Sequence, residues 1–475
     1  MILPPIFLPP IFLPEFHLCP PPIFGSSFIG LLHGIPACLC GLAGLSSRRR
    51  PPVNTRLALL QLYRLGVLLA VVWLVRAHHA GLRAHRDRPV RVEEVRGWFT
   101  NAHALRLDVA QRGGFFVEDD AGRALGYVVR TLPDGEKIIG YCGVTDTLVA
   151  LDPELRVLGF TIRWSEDTKT HVGDVLTDRH FKKTWNGMTW EQVAAMDLKQ
   201  AGVEGVSGAT MTSLAVAEGV VHRFRVAQGE LRPPPVRLSQ RDFGLALAVA
   251  LGGWLTFTKR PGRERWRRWF QWAVIGYVGF LNGDLLAQSL LAGWAKSGVA
   301  WRMAPGLVLL LAAALVVPWA ARRPLYCQQL CPHGALQEVI TRRAPERWRW
   351  RVPAALDRAL RWLPGALLAF VLLVVLLPLD FDLAGLEPFD AYVIRSAGAA
   401  TLAVAVAGLL AAPFVPKAYC KYGCPTGALL EFVRGRGPGD RFAARDAAAA
   451  GLLLLAFALH RHHAAVHAWF FGPAA

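Results

Sequence analysis

Two stretches of the chain carry the same cysteine spacing. Tyr326-Cys327-Gln328-Gln329-Leu330-Cys331-Pro332-His333-Gly334-Ala335-Leu336 repeats as Tyr419-Cys420-Lys421-Tyr422-Gly423-Cys424-Pro425-Thr426-Gly427-Ala428-Leu429. Positions i and i+4 put two thiolates on one face of a helix. The proline after the second cysteine stops or bends that helix and frees backbone N–H groups that can bond to sulfur. Cys327, Cys331, Cys420 and Cys424 together supply four thiolates, the number a [4Fe–4S] or [2Fe–2S] cluster takes. Zinc also accepts four cysteines, usually at Cys-x₂₋₄-Cys in small ribbons. Disulfides are disfavoured if the motifs face the cytoplasm.

A second stretch points to different chemistry. Glu204-Gly205-Val206-Ser207-Gly208-Ala209-Thr210-Met211-Thr212-Ser213 is a tight loop of glycines and small hydroxyl residues. Gly205 and Gly208 permit positive φ or close approach to a ligand. Successive N–H groups and hydroxyls in such a loop suit a phosphate. Leu214–Val226 continues as a helix, which would put the phosphate near a helix N-terminus. Read from spacing alone, the loop is equally a Gly/Ser turn before a helix.

Composition says what must position these residues. The chain has 475 residues, enough for two or three domains, and 53% of them are hydrophobic. The apolar residues cluster into runs that approach the ~20 needed to cross a bilayer. The formal net charge of +18 falls on loops beside those runs. That is the pattern of a protein in contact with membrane lipid, and no DNA- or RNA-binding module accompanies the basic residues. Eight cysteines are too few for a disulfide scaffold.

In order, residues 1–56 are a Pro-rich segment expected to be disordered, with Cys19, Cys38 and Cys40 inside it. Residues 57–76 hold the first transmembrane helix, Leu57–Val75. Its Arg64 is costly at mid-membrane but could snorkel near an end. Residues 90–230 read as a soluble α+β domain. Strands are expected at Phe115–Glu118, Leu125–Thr131, Lys137–Gly140, Asp146–Leu151 and Val157–Arg163. Cys142 reads as a small buried residue.

Residues 243–470 read as an all-α polytopic domain, giving six or seven spans in the whole chain. The expected spans are Phe243–Thr258, Trp269–Trp294, Met303–Ala320, Leu363–Leu379, Ala397–Val415 and Ala447–Leu459. Trp269–Trp294 carries Asn282 and Asp284 and either crosses whole or breaks. His460, His462, His463 and His467 read as interfacial histidines rather than haem ligands. Basic loops at 259–268, 321–361 and 416–446 belong on the cytoplasmic side and the acidic loop 380–395 outside. The domain at 90–230 then lies outside, and the cysteine pairs at the cytoplasmic ends of their spans.

Ser-Gly-Ala-Thr preceded by an acidic residue and Gly resembles the flavinylation motif of FMN-binding domains. Those domains occur in the small flavin-carrying subunits of Rnf and of sodium-translocating NADH:quinone reductase, and in the NosR family. Gly140-Tyr141-Cys142-Gly143 and the loop Ser165-Glu166-Asp167-Thr168-Lys169-Thr170-His171 fit the same resemblance. It implies FMN joined by a phosphoester to Thr210, with Glu204, Ser207, Gly208, Ala209 and Thr212 around it and Glu166 and Thr168 lining the flavin. Glu204 stands where the family usually has Asp. The cysteine repeat resembles the Cys-x₃-Cys-Pro pairs of NosR-type and NapH-type membrane proteins. The closest pattern is the short NosR/NirI type without a C-terminal ferredoxin region.

The resemblance implies an electron-transfer flavoprotein of the cytoplasmic membrane. Electrons would pass between a cytoplasmic-side iron–sulfur cluster, [4Fe–4S] before [2Fe–2S], or quinol, and an extracytoplasmic covalent FMN. Its implied partners are a flavin transferase, a cytoplasmic electron donor or quinol, and an extracytoplasmic reductase or electron carrier. The alternative is a redox-sensing regulator or assembly factor for such a reductase. A bilayer core of ~30 Å would separate the two centres, too far for one comfortable electron step.

Overall fold

A computed structural model describes residues 55–469 apart from 85–88, 109–111, 204, 231–235, 260–261, 378, 380, 394–396, 438, 464 and 467–468. Most of the Pro-rich segment, Glu204 and His467 therefore lie outside the described residues. Helix α1 (Thr55–Ala84) leads into a meander of five antiparallel strands. These are β1 (Ala104–Leu107), β2 (Phe115–Glu118), β3 (Ala124–Arg130), β4 (Thr145–Leu151) and β5 (Val157–Ser165), hydrogen-bonded in sequence order. Helices α2 (Lys169–Thr177), α3 (Trp190–Ala195) and α4 (Thr210–Val226) complete the domain.

The sheet is buried on both faces, and strand alternation sorts its side chains between them. Tyr127, Val129, Val149 and Leu151 meet Val216, Val220 and Phe224 of α4, together with Trp185 and Trp190. Val128, Leu148 and Ala150 point the other way, onto Val95 and Phe99. α4 buries one long face because its contact residues are small or β-branched and let the helix lie close.

The remainder is helical. It comprises α5 (Gln240–Phe257), α6 (Arg263–Ala273), α7 (Gln288–Ser297), α8 (Pro305–Ala321), α9 (Pro332–Arg343), α10 (Ala354–Leu360), α11 (Leu363–Leu376), α12 (Ala399–Ala411), α13 (Ala418–Tyr422), α14 (Pro425–Val433) and α15 (Ala444–Arg461). Two π-helical segments interrupt it, Val274–Asn282 and Tyr326–Leu330. Among the described residues two helical stretches are long and apolar enough to cross a membrane, Thr55–Gly81 and Ala354–Leu376. Pro305–Ala321 and Ala399–Ala411 are apolar but shorter.

Several expectations change. Lys137–Gly140 is not a strand. Asp134–Lys137 is a 3₁₀ turn after Pro133, as a Pro-Asp-Gly sequence favours, and Gly140 lies beneath a carboxylate. β1 was not anticipated, since four residues carry almost no periodic signal. α4 starts at Thr210, not Leu214. Trp269–Trp294 breaks, with Gly283 at φ +78° closing the π-helical segment before α7 begins.

Arg64 does not snorkel. It is fully buried and grips Asp440 through Nη1 (2.7 Å) and Asp446 through Nε (2.7 Å). Two carboxylates on one guanidinium satisfy its charge and most of its donors, the condition for burying an ion pair. Arg64 meets Asp446 near the start of α15, while His78 stacks edge-on against His460 near its end, so α1 and α15 run parallel.

Candidate functional site

The cysteine repeat builds two matching helix starts. Pro332 opens α9 and Pro425 opens α14, each preceded by a cysteine in extended conformation at the N-cap. Cys331 Sγ accepts from Gly334 N (3.4 Å) and Cys424 Sγ from Gly427 N (3.1 Å). These are the N–H groups that the proline leaves free. The two pairs face each other across Gly334, where a Cβ would lie 3.7 Å from both Cys331 Sγ and Cys420 Sγ. Gln337, fully buried on α9, donates to Cys420 Sγ (3.3 Å) and accepts from Tyr419 N (3.2 Å). Nothing in the repeat marks Gln337, because its partner comes from the other copy.

Burial raises all four thiols, Cys327 to about 12, and each of Cys327, Cys331 and Cys424 also feels other cysteines of the set. Such thiols ionise only beside a strong cationic centre, which makes them suited to metal and inert otherwise. A single zinc ion needs its sulfurs converging at ~2.3 Å. Among the described residues no three His, Cys, Asp or Glu side chains converge as ligands of one ion would. Cys331 and Cys424 are buried, Cys327 and Cys420 half-buried, and Cys331, Cys420 and Cys424 each accept an N–H···S bond, which suits thiolate ligands of an iron–sulfur cluster.

After each Cys-Pro the two copies differ, with His333 in one and Thr426 in the other. One loop, 381–393, holds both. Tyr392 Oη pairs with His333 Nδ1 at 3.2 Å. Glu387, 1% exposed, accepts from Thr426 Oγ1 (2.6 Å) and from Gln288 N (2.5 Å). The start of α7 joins the same cluster. Leu286 N donates to Tyr326 Oη (3.1 Å), and Gln288 Nε2 to Thr426 Oγ1 (2.9 Å). The loop expected on the side away from the cysteines therefore touches the residue after each Cys-Pro.

In the flavin-type loop, Gly205 (φ +91°) and Gly208 (φ +92°) take the conformation that glycine permits at least cost. Ala209 N-caps α4, so Thr210 is its first helical residue. Ser213 ties the loop down, accepting from Val206 N (2.8 Å) and donating to Ala209 O (2.9 Å). Ser207 is exposed and Thr212 fully buried. Thr210 Oγ1 is half-buried, bonded to Val206 O (3.2 Å) and reached by Arg241 Nη1 (3.3 Å). A hydroxyl at a helix N-terminus beside a guanidinium fits an attached phosphate. Arg241 lies 31 residues further on, at the start of α5, and only folding brings it here.

Asp167 is the hub between this loop and the sheet. Its buried carboxylate accepts from three successive backbone groups, Tyr141 N (3.2 Å), Cys142 N (2.6 Å) and Gly143 N (3.0 Å), and it lies beside Thr212. A Cβ on Gly140 would stand 2.4 Å from Asp167 Oδ2 and one on Gly143 2.1 Å from Glu166 Oε2. The two carboxylates thus explain the Gly-Tyr-x-Gly segment. Thr168 caps α2, its Oγ1 2.9 Å from His171 Nδ1, while Glu166 is bonded to Ser297 of α7. Cys142 is buried and unpaired with any other cysteine, as expected.

α7 carries one contact between the halves, beside that of Arg241 with Thr210. Ser289, Gly293 and Ser297 recur at four-residue spacing and form one stripe. Tyr141 Oη meets Ser289 Oγ at 3.4 Å, and a Cβ on Gly293 would stand 2.0 Å from Cys142 O.

Comparison with known proteins agrees with both sites. The FMN-binding domain family matches residues 140–222, and the family described as 4Fe-4S binding domain matches 303–352 and 397–441. Regulatory protein NosR of Pseudomonas aeruginosa is 30% identical over 178 residues, 34% of this chain and 23% of its own length. Protein NirI of Paracoccus denitrificans is 31% identical over 207 residues, 39% and 29% respectively. YccM of Escherichia coli, by name a candidate electron transport protein, is 31% identical over 190 residues, 38% and 48%. The matched segments thus span less than half of each relative. No solved structure matches. Fold and sites define a redox protein with an FMN-binding domain and an iron–sulfur domain on one chain. Among such proteins the chain is similar to flavoproteins of the NosR/NirI type.

Proposed function

We propose that the chain carries electrons across the cytoplasmic membrane. They pass between an iron–sulfur cluster on Cys327, Cys331, Cys420 and Cys424 and an FMN joined to Thr210. An extracytoplasmic reductase, or its maturation system, receives them. The observation that carries this reading is the placement of both sites against one short helix, α7. Ten residues of helix span only ~15 Å, so the two centres need not be a bilayer apart.

When bound, the cluster supplies one-electron chemistry and the FMN exchanges electrons singly or in pairs. The chain's residues hold and insulate them. Gly334 and Gly427 N–H groups and Gln337 stabilise charge on sulfur. Arg241 balances the phosphate at Thr210, and Ser207, Gly208 and Ala209 shape its loop. Glu204, Thr212, Glu166 and Thr168 complete the flavin surroundings. A flavin transferase would make the phosphoester bond.

The parallel run of α1 and α15 supports an odd number of crossings, seven, with α6 and its π-helical continuation as one of them. The FMN domain, residues 90–230, then lies outside and the basic loops inside. The electron donor is a cytoplasmic protein or a quinol. An apolar cavity of about 840 Å³, walled by Leu291, Leu311, Leu368 and Leu372, runs to Cys420 and Cys424 and suits a lipophilic quinol. A second reading is a redox-sensing regulator or assembly factor for a reductase, and the printed name of the Pseudomonas relative favours it.

The test is the mass of the peptide containing Thr210, from protein made with a flavin transferase. Addition of FMN less water is expected, and an unmodified peptide would remove the covalent centre. With Thr210→Val, loss of electron delivery at normal reductase expression supports the conduit, and loss of that expression supports the regulator.

A further inference from the structure

A contiguous set of bonded groups runs from the second cysteine motif to the flavin loop. Cys424 is followed by Pro425 and Thr426. Thr426 Oγ1 accepts from Gln288 Nε2 at 2.9 Å, and Ser289 follows Gln288 in the chain. Ser289 Oγ lies 3.4 Å from Tyr141 Oη. Tyr141 N donates to Asp167 Oδ2 at 3.2 Å, and Asp167 lies beside Thr212, two residues from Thr210. Gln288 and Ser289 are each 4% exposed, and Tyr141 is half-buried. The Tyr141 ring is fixed from its side by His171, edge-on at 4.7 Å between centroids. The other bond between α7 and the FMN domain, Ser297 to Glu166, lies at the far end of α7 and leads to neither cysteine motif.

We propose that Gln288, Ser289 and Tyr141 form the electron bridge between the cysteine centre and the FMN domain. The proposal rests on the conduit reading above. One electron leaves the cluster, which is oxidised by one unit, and arrives on the FMN, which is reduced by one unit. The cytoplasmic donor or quinol replaces it. No bond in the bridge breaks, and Tyr141 keeps its proton. Tyr141 and Ser289 are positioning residues that close the gap between two domains.

The test uses the full chain carrying iron and FMN. The FMN is photoreduced by a flash in the presence of a sacrificial amine donor, and transfer of the electron back along the same bridge to the oxidised cluster is followed by absorbance. Tyr141→Phe keeps the ring and removes the bond to Ser289, and Ser289→Ala removes it from the other side. Each is expected to slow exchange roughly tenfold, as a fraction of an ångström of lost positioning does. Iron content, FMN content, both midpoint potentials and hydrogen exchange at Tyr141–Gly143 in cofactor-free protein should stay unchanged. Ser297→Ala should leave the rate as it is. Unslowed exchange in both Tyr141→Phe and Ser289→Ala overturns the bridge. So does equal slowing in Ser297→Ala, because the effect would then be docking alone. No exchange in the unmodified protein refutes the conduit itself, and the bridge with it.

Discussion

Asp167 shows how much one side chain can organise. A single buried carboxylate takes three backbone N–H groups, fixes the turn at Tyr141-Cys142-Gly143 and borders the Thr210 loop. Asp167→Asn replaces a charged acceptor with an amide that must also place two N–H donors in a buried site. The FMN domain should lose about 1–3 kcal/mol, read as a lower denaturant midpoint in cofactor-free protein. An unchanged midpoint would show that the turn holds without the charge. Arg163 does comparable work at the sheet edge, with Nη2 2.9 Å from Glu94 Oε1 and Nη1 3.0 Å from Asp146 Oδ2. Its hydrogen bonds hold the Glu94 carboxyl below the usual glutamate range. The folded value then lies below the unfolded one. The pair stabilises the fold above the ordinary glutamate range, and that gain is lost as pH falls through the folded value. Stability of the native protein should drop more steeply below the ordinary glutamate range than that of Glu94→Gln. Parallel pH curves would exclude the pair as the cause.

Helix α1 is tied to α15 at both ends by polar contacts, Arg64 with Asp440 and Asp446 at one and the histidines at the other. Arg64→Met leaves two buried carboxylates with only Arg445 and the Arg436 and Ala443 N–H groups beside them, and breaking a buried pair from one side costs about 3–5 kcal/mol. Thermal unfolding of the variant in lipid nanodiscs should begin well below that of the native chain. Replacing Arg64, Asp440 and Asp446 together with apolar residues should recover most of the loss. If the triple replacement is no better than Arg64→Met, the charges are not what holds the helices together. The apolar run Leu57–Val75 marks the start of α1 within two residues but stops nine short of its end at Ala84, because the last turns are polar and basic. Sequence reading missed the role of Arg64, because both partners lie more than 370 residues away. The π-helical segments were equally hidden, since they differ from α-helix only in which carbonyl each N–H reaches.

For the whole chain, the proposed seven crossings would put loop 381–393 and the FMN domain on one side and the loop 344–353 on the other. A periplasmic-active reporter fused within the acidic loop should be active, and one fused after Arg351 inactive. The reverse pattern would invert the topology and place the flavin loop inside. Loop 381–393 meets both motifs at the starts of α9 and α14, where Cys331 and Cys424 are the buried N-caps.

The sequence by itself determined the chemistry. Four thiolates in two identical motifs, and a glycine-spaced hydroxyl loop ahead of a helix, are local patterns whose chemistry does not depend on the rest of the chain. It also determined most of the strands and apolar helices, through period and length. Only the tertiary structure decided how near the two centres lie and what joins them. Gln337, Asp167, Arg241, Gln288, Ser289 and Glu387 have no distinguishing neighbours along the chain. Each acquires its meaning from a partner far away in sequence, because hydrogen bonds and close packing are made in space, and a linear pattern records only the residues available to make them.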